Sequence, residues 1–172
     1  VTIPGATPTT NTDSLFIGVS GASTPFQGQL DEIRIWDKAL TSANNDDFFR
    51  ISLTENRNAY SGLVMSITFQ DENSSGSDFN TRDMTGTGNN GFARNVTPVD
   101  RSNQPYATIH PNLSAVFNGT SYLSSVLDAS SAITLECWIF PSSTSPATFI
   151  SKGSTASPAY FLGWNGTKLS QK

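Results

Sequence analysis

An all-β antiparallel sandwich with one short helix is the fold this sequence predicts, on two observations. Apolar and polar residues alternate with period 2 through most of the apolar runs, and helical periodicity is scarce. The clearest run is Leu63-Val-Met-Ser-Ile-Thr-Phe-Gln70. There Leu63, Met65, Ile67 and Phe69 face one way, and Val64, Ser66, Thr68 and Gln70 the other, as in a half-buried strand. Ile133, Leu135, Cys137 and Ile139 repeat the pattern, with Thr134, Glu136 and Trp138 opposite.

The remaining elements follow in order. Strands are expected at 14–18, 30–36, 114–117, 121–125, 148–151 and 160–162. Thr41 or Ser42 can cap a short helix through Asn44-Asn-Asp-Asp-Phe-Phe49, with acidic residues in its first turns. A polar linker over 54–60 comes next. Between Asp71 and Pro111, Ser, Gly, Asn and Pro predict irregular loops. Asn165-Gly166, between Trp164 and Thr167, predicts a tight type I′ hairpin turn.

Composition narrows the function. Of 172 residues, 36% are hydrophobic and 14% charged, so the polar surface is built from Ser, Thr and Asn. A net charge of −4, with no Lys/Arg cluster, argues against a nucleic-acid partner. No run of 18 apolar residues is present, so no membrane insertion is expected. Cys137 is the only cysteine, which forbids an intrachain disulfide and a Cys-rich zinc site; its apolar run predicts a buried small hydrophobe. His110 is the only histidine and precedes Pro111 in a loop, with no nucleophile elbow beside it. The stretch Thr85-Gly-Thr-Gly-Asn-Asn-Gly91 lacks the Lys-Ser/Thr of a phosphate-binding loop.

Leu15-Phe-Ile-Gly18, Phe26-Gln-Gly-Gln-Leu-Asp-Glu-Ile-Arg-Ile-Trp36 and Lys38-Ala-Leu-Thr41 together resemble the C-terminal third of laminin-G-like, concanavalin A-like (pentraxin-like) jelly rolls. The later pieces resemble the opening two-thirds of the same fold. They are 62–70, Gly86-Thr-Gly-Asn-Asn-Gly91, Val116-Phe-Asn-Gly-Thr-Ser-Tyr-Leu123, 133–141 and Phe149-Ile-Ser-Lys-Gly153. The closing signature thus precedes the opening one. The expectation is that 1–58 end one laminin-G-like domain and 60–172 begin the next. The central strands usual in the family would follow Lys172, which implies a tandem-repeat polypeptide. The rival is one circularly permuted jelly roll, whose N-terminal strands close the C-terminal sheet.

The resemblance implies a non-catalytic binding or adhesion module, extracellular or at a cell surface (alternatively on a virion). Its partners would be glycans or surface proteins, and neighbouring domains of the same polypeptide. The alternative is a purely structural spacer repeat of a phage fibre or bacterial surface filament. Glycosidase chemistry needs paired carboxylates about 5 Å apart or somewhat more. Glu136 stands alone in its strand, and Asp31 and Glu32 are adjacent, so in a regular strand they point to opposite faces. Glu32 and Arg34 share a face, as a partly exposed ion pair.

Asp31 shares its face with Ile33 and Ile35 in a regular strand, so it needs backbone N–H donors or a cation. Calcium suits the oxygen ligands available, with Asp83 a second contributor. Trp36, Trp138, Trp164, Tyr122 and Tyr160 could stack on sugars, but their strand positions favour packing. Trp164, beside a turn, is the candidate ligand-binding residue.

Overall fold

The computed structural model describes residues 12–19, 24–41, 60–69, 78–100, 113–127, 132–153 and 158–171. They form twelve strands in two sheets, with no helix among them. In chain order these are β1 (Leu15–Ile17), β2 (Gln27–Trp36), β3 (Leu63–Ile67), β4 (Phe79–Thr81), β5 (Gly91–Arg94) and β6 (Thr97–Asp100). Then come β7 (Leu113–Asn118), β8 (Tyr122–Ser125), β9 (Thr134–Pro141), β10 (Ala147–Gly153), β11 (Pro158–Trp164) and β12 (Leu169–Gln171). Every pairing is antiparallel. The helix expected over 42–49, most of the linker expected over 54–60, and His110 lie outside the described residues.

One sheet has seven strands in the order β12-β11-β10-β1-β8-β5-β4; the other has five, β3-β2-β7-β6 with β9 also on β2. The first half of β2 pairs with β7 and the second half with β3, while β9 pairs along most of its length. A strand has only two edges, so β7 and β3 share one and β9 takes the other. In the opposite sheet β1 sits between β10 and β8.

This arrangement answers the question of domains posed by the order of the signatures. Strands from 15–36 and from 63–171 share both sheets within one chain, with Ile33 opposite Ile67 and Ile17 opposite Leu123. The division into two sandwiches at 58–60 is not what the described residues form; they follow the permuted arrangement. Period-2 reading finds strands but not partners, and both halves carry the same kind of apolar face.

Two further expectations need correction. The stretch 71–111 is not all loop, since β4, β5 and β6 lie in it. Their short runs carry too few apolar residues to show alternation. The turn after Trp164 is a four-residue loop, because Trp164 pairs with Leu169 and the Asn165 N–H donates to the Lys168 carbonyl at 3.1 Å. Asn165 Oδ1 accepts from Thr167 N, Thr167 Oγ1 and Lys168 N, an Asx arrangement that fixes the wider turn.

The core lies between the sheets. Leu30, Ile33, Ile35, Met65, Ile67, Ala115 and Leu135 from one side meet Leu15, Ile17, Ala93, Leu123, Ile150 and Leu162 from the other. Phe26 joins the layers, edge-on to Phe149 at 5.2 Å and tilted on Phe117 at 6.2 Å. Directly after β1, Gly18 has a φ of 85° and abuts the Phe117 ring of the other sheet, and both exclude a side chain there. Trp36, Leu40, Leu63 and Tyr60 form a second, smaller cluster.

Candidate functional site

β2 is not a regular strand, and its irregularity sets the geometry of the site. Asp31 pairs with Trp138 and Arg34 with Glu136, so Glu32 and Ile33 together oppose Cys137 alone. Glu32 has φ of 48°, the left-handed conformation of a β-bulge. One extra residue reverses the face of everything beyond it. Leu30, Ile33 and Ile35 consequently all belong to the core, although their spacing breaks strict alternation. Asp31 is buried at 1% exposure, but it stands opposite Trp138 rather than sharing a face with Ile33 and Ile35. The inward placement expected beside those two isoleucines is therefore corrected by the bulge.

The same bulge buries Glu32 and Arg34. Their side chains are 0% and 3% exposed and meet at 2.7 Å, so the partly exposed pair expected from the sequence is a buried one. Such a pair must be held by good geometry, because desolvating either charge alone costs several kcal/mol.

Among the described strands β9 pairs only with β2, and β12 only with β11. Between these two edges run two adjoining cavities of about 330 and 320 Å³, both lined by Ile139, Phe149 and Leu169. The first continues past Cys137 and Trp138 to Glu32, Arg34 and Glu136. The second is walled by Phe26, Pro141 and Trp164, with Ser143, Thr144 and Ser145 at its rim. Trp164 is half-buried and packs against the core, less exposed than its place beside a turn suggests. Phe140 and Leu169, at 68% and 52% exposure, are the open apolar side chains near this cleft. Sequence reasoning missed the serine-rich rim, whose local signal is only a polar loop between strands.

Two carboxylates, Glu32 and Glu136, line one cavity, an association that reading Glu136 alone in its strand did not anticipate. Each is engaged by the protein. Glu32 Oε2 accepts from Arg34, and Glu136 Oε2 accepts from the indole Nε1 of Trp36 at 2.8 Å. Cys137 follows Glu136 in β9 and lines the same cavity, half-buried against the core. Burial pushes its thiol up to about 12, and the Glu136 carboxylate acts in the same direction. A thiol held there is not a nucleophile at neutral pH.

Asp83 is elsewhere, at the base of the 85–90 loop. Its Oδ1 accepts from Ser66 N and Thr85 N, both at 3.0 Å. Its Oδ2 accepts from Thr85 Oγ1, Thr87 Oγ1 and Asn89 N at 2.6, 2.8 and 3.3 Å. Five donors aimed at one carboxylate suit an anion that organises a loop, and they fit poorly with a cation in the same place. Among the described residues no three His, Cys, Asp or Glu side chains converge. The Gly-rich stretch is thus a loop folded around its own aspartate.

The aromatic candidates divide as packing predicts. Trp36 and Tyr160 are buried, and Tyr122 meets Phe16 edge-on at 6.0 Å. Only Trp164 and Trp138 reach the cleft.

Neither a curated protein nor a solved structure matches the chain. Residues 1–44 match the family model described as the Concanavalin A-like lectin/glucanases superfamily. That match spans β1, β2 and Leu40, so the segment filling the centre of both sheets is similar to this superfamily, and the antiparallel sandwich around it agrees with the likeness.

Proposed function

We propose that the protein is a non-catalytic binding module of an extracellular surface polypeptide, and that the cleft between β9 and β12 is where it takes a glycan. The observation that carries this reading is the cleft's chemistry. Half-buried Trp164 offers an aromatic face, with Phe26 and Phe149 buried behind the wall, while Ser143, Thr144 and Ser145 offer hydroxyls at the mouth. A pyranose presents one apolar face and a ring of hydroxyls, so it can use both surfaces at once. The likeness of residues 1–44 to a lectin-containing superfamily supports the same reading. The engagement of Glu32 by Arg34 and of Glu136 by Trp36 favours binding over hydrolysis, since each carboxylate already holds a partner within the protein.

A structural spacer of a fibre or surface filament is the second reading. Exposed Phe140 and Leu169 favour it, because they suit packing against a neighbouring domain as well as a ligand. A glycan array probed with the full chain, repeated with Trp164→Ala, separates the two. Reproducible saccharide binding, reduced at least about tenfold by the substitution, is expected for a stacking residue in a binding site. Silence across the array would leave the spacer reading standing and remove the glycan one.

A further inference from the structure

Two turns in different sheets are built on the same three residue types. Asn118-Gly-Thr120 begins at the last residue of β7, and Asn165-Gly-Thr167 follows β11. In each, the asparagine Oδ1 accepts from the threonine N–H and from the threonine Oγ1. The distances are 2.9 and 2.8 Å at Thr120, and 3.0 and 2.9 Å at Thr167. The glycine between them has a left-handed φ, 88° at Gly119 and 98° at Gly166, which a residue without Cβ adopts at little cost. A third donor completes each turn, Ser121 Oγ at 2.9 Å in one and Lys168 N at 3.0 Å in the other.

All three bonds fall on Oδ1. Among the described residues, Nδ2 of neither asparagine donates a hydrogen bond. Both asparagines and both threonines are exposed. Asn-x-Ser/Thr, with x other than proline, is the acceptor pattern for N-linked sugars, and so bulky a group needs a surface position. Asn95-Val-Thr97 has the same spacing, but Thr97 opens β6 and precedes Pro98, which holds it extended, so that triplet lacks the turn. Asn73 and Asn112, which begin two further triplets of this pattern, lie outside the described residues. Gln27, opposite Asn118 in β2, and Trp164, which precedes Asn165, both line the second cavity. Sugar at either asparagine would therefore border the cleft without disturbing the core.

We propose that Asn118 and Asn165 are attachment sites for N-linked glycans, transferred from a lipid-phosphate-linked oligosaccharide. In the transfer, Nδ2 forms a bond to the anomeric carbon of the sugar while the bond from that carbon to the donor's phosphate oxygen breaks. The lipid phosphate leaves with the electron pair, one Nδ2 proton is released, and nothing is oxidised or reduced. Oδ1 remains a carbonyl oxygen afterwards, so each turn keeps its three bonds with the sugar in place. The inference rests on the extracellular part of the reading above, because such donors serve secreted chains. It does not depend on the cleft taking a ligand.

The test maps the unsubstituted full chain, so no variant has to fold. The chain is secreted from eukaryotic cells and treated with peptide N-glycosidase in heavy-oxygen water, which turns each glycosylated asparagine into a labelled aspartate. The same chain made in the cytosol sets the background from spontaneous deamidation of the two Asn-Gly bonds. A fall in the intact mass of the secreted chain on treatment is expected, with label at Asn118 and Asn165 well above that background. Asn118→Gln and Asn165→Gln should each remove one glycan from the secreted chain. An intact mass unchanged by the enzyme overturns the proposal, as does label confined to Asn95, and a residue labelled no more than background is not an attachment site. The two readings fail separately. Saccharide binding on the array by a chain with both asparagines unmodified sinks this inference alone, whereas modified asparagines with a silent array sink only glycan recognition.

Discussion

The indole Nε1 of Trp36 donates to Glu136 Oε2 at 2.8 Å, across 100 residues of sequence. The bond ties the closing-type segment to the strand that carries the cleft. It also gives the Glu136 carboxylate a structural partner.

Glu136→Gln should therefore change stability little, because an amide oxygen can accept the same bond. Glu136→Leu should destabilise by roughly 1–3 kcal/mol, the cost of leaving a buried donor without its acceptor. Urea unfolding of the two variants checks this. The purified chain should hydrolyse no glycoside, and hydrolysis that Glu136→Gln abolishes would show this carboxylate to be catalytic.

Asp83→Ala should cost roughly 2–4 kcal/mol, since it strands the Ser66, Thr85 and Asn89 amides together. Excess chelator should leave the thermal midpoint of the unsubstituted chain unchanged, because protein donors already occupy both Asp83 oxygens. A midpoint that rises with free calcium would instead reveal a site that binds the folded state.

Cys137 should resist modification. With its thiol at about 12 rather than 9.0, the thiolate at pH 8 is about a thousandfold scarcer, and a thiol reagent should react correspondingly slowly until the chain unfolds. The linkage has a sign. Above about 9 the unfolded thiol ionises while the folded one keeps its proton, so this group contributes nothing below 9 and lowers stability as pH rises toward 12. At pH 10 the loss attributable to it should be about 1 kcal/mol. Comparing alkaline denaturation with Cys137→Ala isolates it.

Much of the strand content was legible because alternation is a local property. Leu63 to Ile67 and Ile133 to Ile139 bury the residues the pattern selects, partly in the case of Cys137 and Ile139. What escaped was non-local. The bulge at Glu32 carries no glycine to announce it, and it alone decides which side of β2 Asp31 occupies. The burial of Glu32 and Arg34 depends on β9 arriving from 100 residues away. Lys152 is another case: it is 1% exposed, and its Nζ donates to the carbonyls of Asp13 and Leu127 at 2.7 and 3.0 Å. Nothing in Ile-Ser-Lys-Gly distinguishes that lysine from a solvated one. The Trp164 side of the cleft was partly visible as an aromatic beside a turn; the serines opposite were not.

The central claim is that the segment carrying β1 and β2 completes the sandwich built by the later strands, and so helps to wall the cleft. Methyl-labelled NMR tests it most directly, because residues facing each other across antiparallel strands hold their Cβ atoms about 5 Å apart. Nuclear Overhauser contacts from Ile33 to Ile67 and from Ile17 to Leu123 are predicted. Sharp isoleucine signals for 17 and 33 that show no contact to 67 or 123 would contradict it, and would return the two halves to separate sandwiches.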